Sequence, residues 1–90
     1  MVIKYFADIR RLTRCEEQQW TEAAPTLREL LVGLSQQHGA AFQKRVLDGD
    51  GLSSTIIILV NGQSIEHLNG IETPLGPEDT VAVFPMVAGG

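Results

Sequence analysis

The sequence predicts an α+β domain, a mixed sheet of about four to five strands with one main helix packed on one face. Three features carry that reading. Leu27, Leu30, Leu31 and Leu34 fall at i, i+3, i+4 and i+7, a single apolar stripe of one helix. Strand-like runs lie on both sides of it, at residues 2–7, 55–60 and 80–84. After residue 61, Gly62, Gly70, Pro74, Gly76 and Pro77 leave no uninterrupted window for a second long helix.

The elements follow in order. Residues 2–7 are β-branched and aromatic, with Ile3 and Tyr5 on one face and Val2, Lys4 and Phe6 on the other, which gives a first, mostly buried strand. A polar stretch with Arg10, Arg11 and Arg14 reads as a turn. Glu16 to Thr21, with Trp20 as its large apolar side chain, reads as the second arm of a hairpin. Thr26-Leu27-Arg28-Glu29 fits a capping box, in which the Thr hydroxyl accepts from the Glu29 N–H, so the helix starts there. Gly39, after His38, supplies its left-handed stop. Phe42, Val46 and Leu47 add a further helical turn before the Asp48-Gly49-Asp50-Gly51 loop. That loop lacks a calcium frame, because Leu52 and Leu59 stand where an oxygen ligand and a Glu are needed, and it reads as a plain turn.

Thr55 to Val60 is a continuous apolar run, read as a central strand, and Asn61-Gly62 accepts the positive φ angles of a type I′ turn. Ile65, Leu68, Ile71 and Leu75 scatter through a compact loop with a short helical turn. Thr80 to Phe84 alternates as the last strand, which Pro85 ends because it cannot donate to a ladder. This order is that of the β-grasp fold, with the first and last strands side by side and parallel. A ferredoxin-like arrangement would need a second helix. Ninety residues leave no room for another domain or a deep cavity, so the division is a domain over 1–84 and a flexible tail over 85–90.

Composition narrows function. The net charge of −4 argues against nucleic acid, whose binders need excess cations to displace phosphate counterions. Residues 1–45 hold all seven Lys and Arg and five acids, whereas residues 46–90 hold six acids and no base. Such an acidic half points to steering towards a basic partner surface, with Glu66, Glu78 and Asp79 as the steering residues. Cys15 is alone, which excludes an intrachain disulfide or a Cys-based metal cluster and fits a reducing cytoplasm. The start lacks a secretory pattern, and the longest apolar run, Ile56 to Val60, has five residues, so no membrane contact is expected. His38 and His67 have no ligand partners at metal-site spacing, and no metal is expected. Cys15, Trp20 and Phe42 read as packing residues, and Arg10, Arg11 and Arg14 as solvated turn residues. No acid–base or nucleophile constellation marks the chain as an enzyme.

The end of the chain is unusual. Pro85-Met86-Val87-Ala88-Gly89-Gly90 carries no charged side chain, and six extended residues reach about 20 Å, far enough to enter another protein's pocket. Glycines without a Cβ can thread a narrow channel and present the α-carboxylate unhindered. Asn61-Gly62, His67-Leu68, Thr73-Pro74-Leu75, Glu78-Asp79 and Phe84-Pro85-Met86-Val87-Ala88-Gly89-Gly90 together resemble the MoaD/ThiS family of ubiquitin-like sulfur carriers. By element order the likeness spans the whole chain, and its specific part is the last thirty residues. Met86 stands where members serving molybdopterin synthase commonly have a second proline.

The resemblance implies a non-catalytic carrier that binds no cofactor. An ATP-dependent, ubiquitin-activating-like adenylyltransferase would convert the Gly90 carboxylate to an acyl-adenylate, and a persulfide would then deliver sulfur to leave a thiocarboxylate. Val87, Ala88 and Gly89 would thread the partner's active site, with Phe84, Pro85 and Met86 at the interface. The sulfur acceptor implied is the large subunit of molybdopterin synthase. The alternatives are another sulfur-accepting enzyme in thiazole or cysteine biosynthesis, a modifier joined to lysine through Gly90, or a non-covalent β-grasp adaptor.

Overall fold

The computed structural model describes residues 1–86. Its seven strands and three helices are β1 (Val2–Tyr5), α1 (Ala7–Thr13), β2 (Glu17–Gln19), α2 (Leu27–His38), α3 (Ala40–Val46), β3 (Leu47–Asp48), β4 (Gly51–Leu52), β5 (Ile56–Val60), β6 (Gln63–Ser64) and β7 (Thr80–Pro85), with 3₁₀ turns at Ile65–His67 and Gly70–Glu72. Five strands form one mixed sheet in the order β2-β1-β7-β5-β6, and β3 and β4 make a separate small hairpin. The first and last strands, β1 and β7, are parallel neighbours, with Ile3 opposite Val81 and Tyr5 opposite Val83. The β-grasp prediction holds.

The α2 boundaries are those the sequence gives away. Thr26 Oγ1 accepts from the Glu29 N–H at 3.4 Å, and Gly39, at φ 97°, donates its N–H to the Ser35 carbonyl. All four leucines of the stripe are fully buried. They meet Ile3, Tyr5, Ile58, Val81 and Val83, which face them from alternate positions of the strands, with Phe42 and Val46 of α3 completing the core. Truncating a fully buried aromatic such as Phe42 to alanine removes about 3–5 kcal/mol.

Three expectations are corrected. The polar stretch after β1 is a helix, not a turn. Ile9 and Thr13, one turn apart, are its buried face, and Arg14 ends it in the left-handed region at φ 62°. It escapes pattern reading because no side chain caps its start and no glycine marks its end. Because the strand before it stops at Tyr5, Phe6 becomes the cap of α1. The run at Thr55–Val60 forms β5, but β7, not β5, is the central strand. Only alternate residues of β5, Ile56, Ile58 and Val60, are buried, while Ile57 is exposed, since helices cover one side of the sheet. Finally, Pro85 is inside β7 opposite Ile56, and the Met86 N–H donates to the Thr55 carbonyl at 2.7 Å. A proline is accommodated there because the register alternates, and position 85 is one at which no N–H to β5 is needed. Pro85, which the sequence reading places after the last strand, thus belongs to β7.

Asn61 and Gly62, at φ 52° and 82°, form the expected tight turn between β5 and β6, with Val60 opposite Gln63. Trp20 packs against α2 at Gly33, where an added Cβ would lie 2.6 Å from the indole ring. Alanine normally favours a helix by about 1 kcal/mol over glycine. Here Gly33→Ala is expected to destabilise the domain by about 1–3 kcal/mol through overpacking, measured by urea denaturation. In a Trp20→Ala background the same change should become neutral or stabilising, which distinguishes a steric origin from a backbone one.

Candidate functional site

The site is built around the end of the sheet where the described chain stops. β1 and β7 are parallel and both finish there, and β5, antiparallel to β7, begins there. On the side of the sheet opposite α2, alternation presents Val2 and Phe6 of the first strand region, Ala82 and Phe84 of β7, and Ile57 and Leu59 of β5. The Phe6 and Phe84 rings stack with centroids 4.4 Å apart and planes 11° from parallel. Phe84 lies opposite Ile57 in the register. Ile57 and Met86 are 36% and 50% exposed, so this face is an apolar surface left open at the base of the tail. A cleft of 390 Å³ adjoins it, with Leu52, Ile56, Ile65, Ile71 and Met86 among its lining.

Polar contacts fix the point of departure. Arg45 in α3 donates through Nε to Asp8 Oδ2 at 2.7 Å and through a guanidinium nitrogen to Thr55 Oγ1 at 2.8 Å. Thr55 is the residue whose carbonyl holds the Met86 N–H. The exit of the tail is thus tied to α1 and α3, one side chain at a time.

Of the residues expected at the interface, the structure brings Phe84, Pro85 and Met86 together at this end. Val87, Ala88, Gly89 and Gly90 lie outside the described residues. Phe6, Ile57, Arg45 and Thr55 belong to the same site and were not singled out from sequence. The signal for Phe6 was Lys4, whose place on the Val2–Phe6 face marks that face as the open one. Arg45 had no such signal, since its partners are distant in sequence.

The other candidates fall elsewhere. Among the described residues no group of three His, Cys, Asp or Glu could hold a metal ion, and no helix is long and apolar enough to cross a membrane. Cys15 is half-buried and packs on the core. Arg10 pairs with Glu16 at 3.3 Å and Arg28 with Glu72 at 2.5 Å. His67 is exposed on a 3₁₀ turn. His38 Nε2 lies 2.7 Å from Gln18 Oε1, which also accepts from the Tyr5 hydroxyl at 2.5 Å. Burial pushes the Tyr5 phenol up, with the Cys15 thiol as a second cause, and burial pushes the His38 imidazole down. Asp79 accepts from Asn61 Nδ2 at 2.9 Å and from the Gly76 N–H at 2.7 Å, and these bonds hold its carboxyl below the usual range.

With this geometry in view, the class is that of small ubiquitin-like proteins of the sulfur-carrier and modifier type. The chain belongs to the ThiS family, whose model matches residues 3–90. It is 29% identical over 89 residues to small archaeal modifier protein 3 of Haloferax volcanii, covering 98% of this chain and 96% of that one. It is 41% identical over 66 residues to a putative sulfur carrier protein of Archaeoglobus fulgidus, covering 72% and 74%. Among solved structures, the putative molybdopterin converting factor subunit 1 of Pyrococcus furiosus superposes with a TM-score of 0.74 at 27% identity, covering 96% and 95%.

Two titrations shape the acid limb of stability. A histidine whose folded pKa is lowered favours folding above its ordinary value of 6.5 and loses that contribution as pH falls through it. A carboxylate whose folded pKa is lowered contributes above 3.8 and loses its share as pH falls further. Unfolding free energy should therefore decline in two steps, one as pH falls below 6.5 and one as it falls below 3.8. His38→Gln should remove the upper step alone and Asp79→Asn the lower one, read from urea midpoints at closely spaced pH.

Proposed function

We propose that this chain is a sulfur carrier whose Gly90 carboxylate is activated by a ubiquitin-activating-like, ATP-using adenylyltransferase and converted to a thiocarboxylate. The observation that supports it most is the joint placement of an uncharged Gly-Gly terminus and an open apolar face. The terminus follows Met86 by four residues in sequence, and the apolar face flanks the end of β7, with Ile57 and Met86 exposed and Phe84 half-buried there.

The chemistry follows from what a carboxylate lacks. Its oxygen is a poor leaving group, so attack of Gly90 on the α-phosphorus of ATP, with loss of pyrophosphate, makes an acyl-adenylate whose carbonyl is electrophilic. A persulfide sulfur displaces AMP, and a thiol then reduces the acyl disulfide to release the thiocarboxylate, a sulfur nucleophile at neutral pH. This chain supplies no catalytic group to these steps. Its part is to dock, through Phe84, Pro85 and Met86, while Val87, Ala88 and Gly89 pass the terminus into the enzyme. Aromatic and methionine side chains at a desolvated face are the residue types from which interface cores are made.

For the acceptor, we infer the large subunit of molybdopterin synthase, in keeping with the name of the Pyrococcus relative and despite Met86 in place of the second proline. The name of the Haloferax relative favours a second reading, attachment of Gly90 to lysine. Intact mass after incubation with ATP, a sulfur donor and the adenylyltransferase of the same cell should show one oxygen replaced by sulfur, and a chain lacking Gly90 should show no change. Ladders on lysine-containing proteins without that mass gain would favour the modifier. Ile57→Lys should keep the unfolding free energy within about 1 kcal/mol, as surface changes usually do, yet weaken capture by the adenylyltransferase severalfold.

A further inference from the structure

The acidic half evident in the sequence is not an acidic surface at the business end. Glu78 and Asp79 precede β7, so they sit one strand length, about 20 Å, from Pro85. Asp79 is engaged with Asn61 and Gly76, and Glu72 with Arg28. Glu66 lines the cleft beside Met86, but on the α1–α3 side the end of β7 is bordered by cations. α1 begins directly after Phe6 and packs on α3. A groove of 530 Å³ between them is lined by Asp8, Arg11, Leu12, Ala41, Lys44 and Arg45. Asp8 is neutralised by Arg45, while Arg11 and Lys44 are exposed and form no ion pair among the described residues. Leu12 and Ala41 add apolar surface between these cations. Arg45 links the groove to Thr55, and Thr55 to Met86, so the groove is connected to the end of β7.

We propose that the α1–α3 groove is a second docking surface, one that takes an acidic, partly apolar segment at the mouth of the adenylylating enzyme. The proposal rests on the reading of Gly90 as the activated group. Charge complementarity identifies the occupant, since two unpaired cations flanking a small apolar strip fit carboxylates set beside an aliphatic or aromatic side chain. The cations of this groove, with Glu78 and Asp79 at the other end of β7, also favour an approach to an acidic mouth by the groove side first.

The test compares three full-length proteins with the adenylyltransferase of the same cell. These are the wild type, Arg11→Gln/Lys44→Gln, and a control of equal charge change at the far end, Thr21→Glu/Gln63→Glu. ATP–pyrophosphate exchange gives KM and kcat for each at low and high salt, and intact mass reports thiocarboxylate. The groove variant should raise KM about fivefold or more at low salt, flatten its salt dependence and leave kcat unchanged, with the control within about twofold of wild type. Equal effects of both double variants, or none from the groove variant on a wild type that does gain sulfur, would overturn the groove and leave the carrier reading intact. A wild type that gains no sulfur would overturn both. A salt-sensitive dimer in sedimentation, abolished by the groove variant, would assign the groove to the acidic end of a second copy and overturn the proposal.

Discussion

The parallel pairing of β1 with β7 is the constraint on which the rest depends. Strands that run the same way cannot be joined by a tight turn, so the chain between them must cross over, and α2 with its leucine stripe is that crossover. The pairing also puts the last strand in the middle of the sheet, flanked by β1 and β5. The central strand is held on through Met86, whose N–H donates to the Thr55 carbonyl. The same arrangement brings the start of α1, the start of β5 and the end of β7 to one place, which is why aromatic stacking, a guanidinium network and the tail coincide there.

One layer of helices on a five-stranded sheet leaves a face without cover, which is ordinary when that face is polar but is here partly apolar, with Phe6, Phe84 and Ile57 on it. Stacking Phe6 on Phe84 limits the water-exposed area of two large rings without adding a second layer. Lys4, on the same face, keeps it from being wholly apolar. The surface that results is apolar beside the end of β7, at Phe84, Ile57 and Met86, and is broken by Lys4 towards the other end of β1.

How much of this could be read in the sequence depends on the range of the interaction responsible. Thr26 with Glu29, the leucine stripe, Gly39 and Asn61-Gly62 act over a few residues, and each was legible because its geometry is local. The run Ile56 to Val60 was half legible. It marked a strand, but an unbroken apolar run equally fits a strand buried on both sides or one whose outer face meets a partner, and only the layer count decides. α1 was illegible, because its limits are set by β1 ending and by Arg14 taking a left-handed conformation that glycine more often signals. The basic rim was illegible for a different reason. Charge tallied along the chain assigned acidity to the second half, yet folding pairs Arg28 with Glu72 and carries Lys44 and Arg45 to the end of the sheet. Of the site itself, Phe84 to Met86 were legible, whereas Arg45, Thr55 and Asp8, separated by up to 47 positions, meet only in three dimensions.

The central position of β7 has a mechanical meaning. When an enzyme grips the terminus and the domain is held back at its mouth, tension runs along β7 and loads the ladders to β1 and β5 together, in shear. Hydrogen bonds loaded along the strand must fail as a group, and a central strand engages two such ladders where an edge strand engages one. A pull on the C-terminal end of β7 would therefore be shared by both neighbouring strands before the fold gave way.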